Sequence, residues 1–237
     1  MNKLKKKDNL VVIMAGGLGK RLKPLTDNCS KSMLKIGDKP MLEIILNNFI
    51  KQGFYNFYIS INYKGEQIKN YFKDGAKWGI NINYIHEKKM MGTAGSLSLI
   101  SLKDDLPLIV INGDVLTTLS YDKLMDFHKK NCAKMTVVGK SYCVKIPYGV
   151  MKKEGLRLLD FEEKPVHKAL INAGIYVLEA EAINNIPKNS YYNLNELIKK
   201  MLFNGDFIAV YEMDDYWIDI GTKGGLYQAK KDVYEVF

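Results

Sequence analysis

An apolar run, Leu10-Val11-Val12-Ile13, breaks into Met14-Ala15-Gly16-Gly17-Leu18-Gly19-Lys20-Arg21-Leu22-Lys23-Pro24-Leu25. A buried strand that ends in three glycines and then in cations favours folds that hold a polyanion at one end of a sheet. After Ala15, the glycines Gly16, Gly17 and Gly19 let backbone N–H groups approach phosphate with no Cβ in the way. Lys20, Arg21 and Lys23 can add charge-assisted hydrogen bonds. Neither common phosphate loop fits. Gly16 to Gly19 is too short for G-x-x-x-x-G-K-[ST], and a dinucleotide fingerprint needs glycine where Leu22 stands. The competing reading is an ordinary glycine-rich strand-to-helix turn.

The chain has 237 residues, 47% of them hydrophobic. That allows one large α/β domain with a substantial core, or two small ones. No apolar run reaches the roughly eighteen residues of a membrane span, so no membrane partner is expected. The start has charge but no apolar segment before Leu10, unlike a secretory signal. Cys29, Cys132 and Cys143 are few and widely spaced. They form no metal pattern and no disulfide framework, so a cytoplasmic location is expected. No activating histidine adjoins Cys29, which argues against a nucleophile. The net charge of +9 suits anionic small substrates. It lacks the dense basic stripe with interleaved aromatics of a nucleic-acid reader.

Residues 1–9 read as a basic tail or linker remnant and 10–237 as one domain. Strands are expected at 10–14, 55–61, 80–85 and 108–111. They alternate with helices at 40–52, 66–72 and 93–102. This is the rhythm of a mainly parallel sheet flanked by helices. After a helix at 121–131, strand-like segments at 135–140, 149–152, 156–161 and 171–178 suggest an antiparallel extension. A helix over 193–203, a strand over 207–212 and a helix over 222–235 close the chain.

Asp114 follows the apolar strand Ile109-Val110-Ile111-Asn112-Gly113, and Asp219 follows Tyr216-Trp217-Ile218. Carboxylates at the ends of strands are placed to hold a hard cation such as Mg²⁺, with phosphate oxygens and water completing its shell. Each also reads as a turn or helix-cap aspartate. Glu163-Lys164 after Phe161 offers a carboxylate for sugar hydroxyls and a cation for a sugar phosphate. Glu87 can accept the paired N–H donors of a guanine edge, and Gly92-Thr93-Ala94-Gly95 has small residues for a flat base to lie against. His86, His128 and His167 show no ligand spacing.

In order, Ala15–Thr26, Lys31, Gly92-Thr93-Ala94-Gly95, Gly113-Asp114, Glu163-Lys164-Pro165, Asn172-Ala173-Gly174 and Trp217-x-Asp219-x-Gly221-Thr222 resemble the sugar-1-phosphate nucleotidyltransferases. The resemblance runs from about residue 10 to 235. It implies a Rossmann-like, mainly parallel sheet with a small antiparallel extension. It also implies that an NTP and a sugar 1-phosphate give an NDP-sugar and pyrophosphate. Gly16, Gly17 and Gly19 then cradle the phosphates, with Ala15 beside them. Arg21 neutralises the leaving pyrophosphate, and Lys31 contacts the reacting phosphates. Asp114 and Asp219 hold Mg²⁺. Glu87, Gly92 and Thr93 bound the base, and Gly149, Glu163, Asn172 and Gly174 line the sugar pocket, with Lys164 on the sugar phosphate.

The stretch 86–97 looks most like guanylyltransferases, which implies GTP. Met33–Leu99 resembles the glucosamine-1-phosphate guanylyltransferases of legionaminic acid synthesis. Those carry a CBS-type regulatory region that this chain lacks, and the lysine-rich start would suit a truncation point. A homo-oligomer is compatible with all of this. Where the family often has prolines around the lysine, Ser30-Lys31-Ser32 stands here, which puts the rigidity of that loop in question. A uridylyl-, thymidylyl- or cytidylyltransferase, and a silent nucleotide-sugar-binding subunit, remain alternatives.

Overall fold

The computed structural model describes residues 5–102 and 105–237. In chain order the strands are β1 (Val11–Met14), β2 (Lys35–Ile36), β3 (Lys39–Pro40), β4 (Asn56–Ile61), β5 (Asn81–His86), β6 (Leu108–Asn112) and β7 (Val115–Thr117). They continue as β8 (Met135–Lys145), β9 (Val150–Glu154), β10 (Arg157–Glu162), β11 (Val166–Leu178), β12 (Ile208–Met213) and β13 (Trp217–Asp219). The helices are α1 (Met41–Ile50), α2 (Gly65–Phe72), α3 (Gly92–Gly95), α4 (Tyr121–Lys130), α5 (Leu194–Phe203) and α6 (Lys223–Val236).

Seven strands form one sheet in the order β12-β8-β11-β6-β1-β4-β5. β1 pairs in parallel with β4 and β6, and β4 with β5. β11 enters antiparallel between β6 and β8, and β12 pairs in parallel with β8. The uninterrupted apolar runs make this possible, because a strand covered on both faces needs no polar alternation. Val11 and Ile13 join one core with α1, α2, α4 and α6. Val12, pointing the other way, joins a second core with α5 and the segment around α3. The expected mainly parallel sheet with helices on both faces is therefore present.

Two expectations change. The helix expected over 93–102 is only the four-residue α3 followed by a 3-10 turn, Ser96–Leu99. Ala94 N and Gly95 N, which a helix start leaves free, donate to Tyr192 O (2.9 Å each), and the helix ends early because Ile100 N closes back on Leu97 O (3.1 Å) and Ile100 itself is extended (φ −85°, ψ 130°). The strand expected over 207–212 is present as β12, the outermost strand of the main sheet. The antiparallel extension is longer than its apolar signal: β8 and β11 stay paired out to Lys145 and Val166. Of the expected tail, residues 1–4 lie outside the described residues. Lys7 runs against the body, donating its N–H to Gly53 O (3.0 Å) and pairing with Asp122 (2.5 Å). Among the described residues no helix is long and apolar enough to cross a membrane.

Candidate active site

The chain crosses from β1 to β4 and β5 on one side, then returns to β6 on the other. Such a reversal leaves a crevice at the carboxyl ends of the two central strands. A cavity of about 280 Å³ opens there. Lining it are Ala15, Gly16 and Gly17 from the loop after β1, Asn112 to Asp114 from the end of β6, and Lys31 and Ser32. Glu87, Met90, Gly92, Thr93, Tyr191 and Asn193 complete it. A larger cleft of about 560 Å³ lies between β2–β3, α1 and α6. None of the site residues expected from the sequence lines it.

Gly19 turns the loop. Its φ of +63° is the left-handed region that glycine adopts without penalty, and its carbonyl accepts from the Thr26 hydroxyl (2.9 Å). This faces the loop back toward Lys31. Ser30, Lys31 and Ser32 form a short turn that needs no proline. Ser30 already sits at φ −59°, ψ 139°, its N–H donates to Gln67 Oε1 (2.8 Å), and Gln67 Nε2 donates to Asn28 O (3.0 Å). A proline at position 30 could not make the first of these bonds. The Gln67 tie from α2 supplies the restraint that the missing prolines put in question.

The two aspartates meet through a ladder. β7 and β13 pair antiparallel, with Asp219 opposite Val115, and Ile220 N donates to Asp114 O (3.0 Å). Trp217 Nε1 donates to Ala173 O (2.9 Å), tying β13 to β11. Lys31 Nζ donates to Asp114 Oδ2 in a half-buried ion pair. Gly221 marks where the charges converge. A Cβ placed there would lie 2.7 Å from Arg21 Nη2, 2.8 Å from Asp219 Oδ1 and 2.9 Å from Lys31 Nζ. One guanidinium, one ammonium and the Asp219 carboxylate thus surround one small space beside the glycine loop, with Asp114 joined to it through Lys31.

The donor chemistry there fits Mg²⁺. Asp114 and Asp219 offer two hard carboxylates from adjoining backbone segments, too few to fill an octahedral shell and so suited to an ion that keeps water and phosphate ligands. No cluster of three or more His, Cys, Asp or Glu exists among the described residues. In the cavity wall, Asn112 Oδ1 is buried with no hydrogen-bond partner, and such an orphaned acceptor calls for an explanation.

The base-side residues are held by the chain itself. Glu87 Oε1 accepts from Ser60 Oγ (2.6 Å) and Oε2 from Met91 N (3.1 Å), leaving each oxygen a further lone pair. Thr93 N donates to Asn193 Oδ1 (3.3 Å), and Thr93 Oγ1 accepts from Leu194 N (3.0 Å). Gly92, at φ +73°, has Tyr192 O where its Cβ would be (2.6 Å), and Gly95 has Ser190 O (2.4 Å). The space these glycines leave open is taken by residues 190–193 rather than by a base. Tyr191, Asn193, Met90 and Asn112 escaped the sequence reading. Only the pattern Asn193-x-x-Glu196, a capping box that starts α5, hinted that 193 sits at an element boundary.

The sugar-side residues separate into two groups. Asn172 and Gly174 occupy a bulge in β11, where Asn172 Oδ1 accepts from Gly174 N (2.9 Å) and Asn172 Nδ2 donates to Tyr176 OH (2.8 Å). Gly174 lies directly against the Asn112 side chain, so this bulge borders the cavity. Gly149, Glu163 and Lys164 form a separate group beyond the sheet, with Phe161 and Glu163 packed against Gly149 and Lys164 N donating to Tyr148 O (3.2 Å). None of these three lines the cavity. Cys29 is half-buried, and burial pushes its thiol up, as a spectator thiol would be.

A crevice at the strand reversal, a glycine loop, and cations facing paired carboxylates together define a nucleotide-handling α/β protein. Comparison with known proteins gives the family. The sequence profile described as Nucleotidyl transferase matches residues 10–236, and the chain belongs to that family. It is 34% identical to a D-glycero-alpha-D-manno-heptose 1-phosphate guanylyltransferase from Campylobacter jejuni, over 91% of this chain and 96% of that protein. It is 33% identical to a UTP–glucose-1-phosphate uridylyltransferase from Synechocystis, over 94% of this chain but 62% of that protein. The chain spans about three fifths of the length of that enzyme, as of several other curated relatives. The crystal structure of HddC from Yersinia pseudotuberculosis shares the fold, with a TM-score of 0.75 at 24% identity, covering 95% of this chain and 99% of that one.

Proposed function

We propose that this chain transfers a nucleotidyl group from an NTP, GTP first, to a sugar 1-phosphate, glucosamine 1-phosphate first, releasing pyrophosphate. The observation that carries the reading is the convergence of Arg21, Lys31, Asp114 and Asp219 beside the glycine loop. A phosphate monoester is already a competent nucleophile, so no base or covalent intermediate is needed. One of its oxygens attacks the α-phosphorus as the bond to the pyrophosphate oxygen breaks in line. Catalysis then rests on position and on charge neutralisation. Backbone N–H groups of Gly16 and Gly17 hold the phosphates, Arg21 takes up charge on the departing pyrophosphate, and Lys31 leaves Asp114 to meet the reacting phosphate. Asp114 and Asp219 would hold Mg²⁺, which would neutralise charge on the α-phosphate. Asn112 Oδ1 offers an unused acceptor for a substrate hydroxyl. Glu163 is assigned to sugar hydroxyls and Lys164 to the sugar phosphate, both in the outer group with Gly149.

A heptose 1-phosphate as acceptor is the second reading, favoured by the Campylobacter relative. A uridylyltransferase is the alternative on the base side, favoured by the Synechocystis relative. Pyrophosphate release over four NTPs and a panel of sugar 1-phosphates tests all three. GTP with glucosamine 1-phosphate should rank first, and GTP as the poorest donor would reject the guanylyl reading. Asp114→Ala should lower turnover by about 10² or more in saturating Mg²⁺ with an unchanged circular-dichroism spectrum. Near-normal turnover would remove Asp114 from the machinery.

A further inference from the structure

The start of α2 holds the chain that leads into Lys31. Lys64 Nζ, from the residue just before the helix, donates to Asp27 O. In the first turn of α2, Gln67 Nε2 donates to Asn28 O (3.0 Å) and Gln67 Oε1 accepts from Ser30 N (2.8 Å). Among the described residues, no other side chain outside the loop bonds the backbone of 28–30. Gln67 is exposed and does not line the cavity, so it acts on that loop and not on a substrate.

The bond to Ser30 matters because of what Ser30 closes. Its carbonyl accepts from Met33 N (2.9 Å), which shuts the short turn that carries Lys31. Ser30 is buried, and its hydroxyl has no hydrogen-bond partner. The residue that closes the turn is therefore anchored through its N–H and not through its side chain. On the other side of the loop, Thr26 bonds Gly19 O, and a Cβ on Gly19 would lie 3.2 Å from Lys31 Cβ. The glycine loop and the Lys31 turn thus abut, and the Gln67 bonds fix the lysine side of that junction. A buried N–H deprived of its acceptor costs more than an ordinary hydrogen bond contributes, so the turn shifts if Gln67 is lost.

We propose that Gln67 is a positioning residue for the transfer reaction, and that glutamine at 67 and proline at 30 are mutually exclusive ways of holding Lys31. Ser30 sits at φ −59°, ψ 139°, where a proline ring would hold the chain anyway. A proline Cδ would take the direction of the present N–H, and Gln67 Oε1 stands only 2.8 Å from that nitrogen. With glutamine in place the ring collides with it. With the glutamine shortened, the ring fills the space and removes the orphaned N–H. The inference rests on the reaction proposed above, since its readout is turnover.

The test compares wild type, Gln67→Ala, Ser30→Pro and the double variant by pyrophosphate release in saturating Mg²⁺, beside thermal melting. Gln67→Ala should lose about tenfold in kcat while KM for the NTP stays within about twofold. It should melt near the wild type, because an exposed side chain leaves no cavity. Ser30→Pro alone should also lose turnover, yet the same change made on Gln67→Ala should restore most of the tenfold loss. Simple bracing of α2 would give no such reversal of sign. Wild-type kcat in Gln67→Ala, a loss confined to KM, or a double variant no faster than Gln67→Ala overturns the role. Should the double variant fail to fold, hydrogen exchange decides. Amides of residues 30–34 should then exchange at least about tenfold faster in Gln67→Ala than in wild type, and equal rates overturn the proposal. A wild type that releases no pyrophosphate from any NTP strikes the reaction itself, and the role of Gln67 falls with it.

Discussion

Gly221→Ala separates catalysis from folding at this site. The added methyl would stand 2.7 Å from Arg21 Nη2, 2.8 Å from Asp219 Oδ1 and 2.9 Å from Lys31 Nζ. Ordinary contact begins near 3.5 Å, so each of the three groups must withdraw by roughly 0.6–0.8 Å. All three atoms are ends of flexible side chains, and Gly221 has no positive φ. The fold should therefore lose no more than about 1 kcal/mol. Displacements approaching 1 Å from a productive geometry cost about 10² in rate, or ~2.7 kcal/mol of transition-state stabilisation. Gly225→Ala is the contrasting control. Its Cβ would fall 2.1 Å from the Asp219 carbonyl oxygen, a backbone atom with nowhere to retreat. The assay is pyrophosphate release at saturating NTP, sugar 1-phosphate and Mg²⁺, read beside thermal melting. Gly221→Ala should lose about a hundredfold in kcat and melt near the wild type, whereas Gly225→Ala should melt earlier. Wild-type turnover in Gly221→Ala would mean that Arg21, Lys31 and Asp219 do not act together on the reacting phosphate.

Two further outcomes are expected. Glu87→Gln should flatten the NTP ranking with GTP losing most, measured as kcat/KM for each donor. An equal loss for all four NTPs would show that the carboxylate only braces the 87–91 segment through Ser60 and Met91. His128 is fully buried, between Thr136 Oγ1 (2.8 Å) and Glu179 Oε1 (3.1 Å). Burial lowers its pKa, with Glu179 opposing and Lys129 adding to the shift. The unfolded chain, at about 6.5, therefore takes up the proton first, and stability should fall as pH drops below that value. Melting temperature measured from pH 7.5 to 5.5 should decline more steeply in the wild type than in His128→Gln, and equal slopes would remove His128 as the source.

The sheet was largely legible because its strands are continuous apolar runs. Val11–Ile13 and Leu108–Ile111 are buried on both faces and need no context to be recognised. The glycine loop and Asp114 were legible for a related reason, since a polar residue that ends such a run falls at the carboxyl edge where ligands sit. What escaped depends on long-range approach. Nothing local in Gly92–Leu102 says that the chain turns extended at Ile100, so a longer helix was the better local guess. Nothing local in Gly221 says that Arg21 and Lys31 from the β1–β2 connection and Asp219 from the end of β13 meet over it. β12 carries an ordinary alternating pattern, and its place at the sheet edge follows from pairing with β8, some seventy residues earlier. β8 and β11 were legible as strands, but their continued pairing out to Lys145 and Val166 was not, because nothing local reports how far two strands run beyond their neighbours.

The β7–β13 ladder joins residues 115–117 to 217–219, and residues 190–194 wall the cavity from a comparable distance along the chain. Emerging from the ribosome, the chain would have its glycine loop and six of its seven main-sheet strands before residues 191–193 close the cavity and β13 brings Asp219. On the proposed reading a chain cut short before residue 217 would keep the cavity walls and the glycine loop yet lack Asp219, and so would bind without the full charge set needed for turnover.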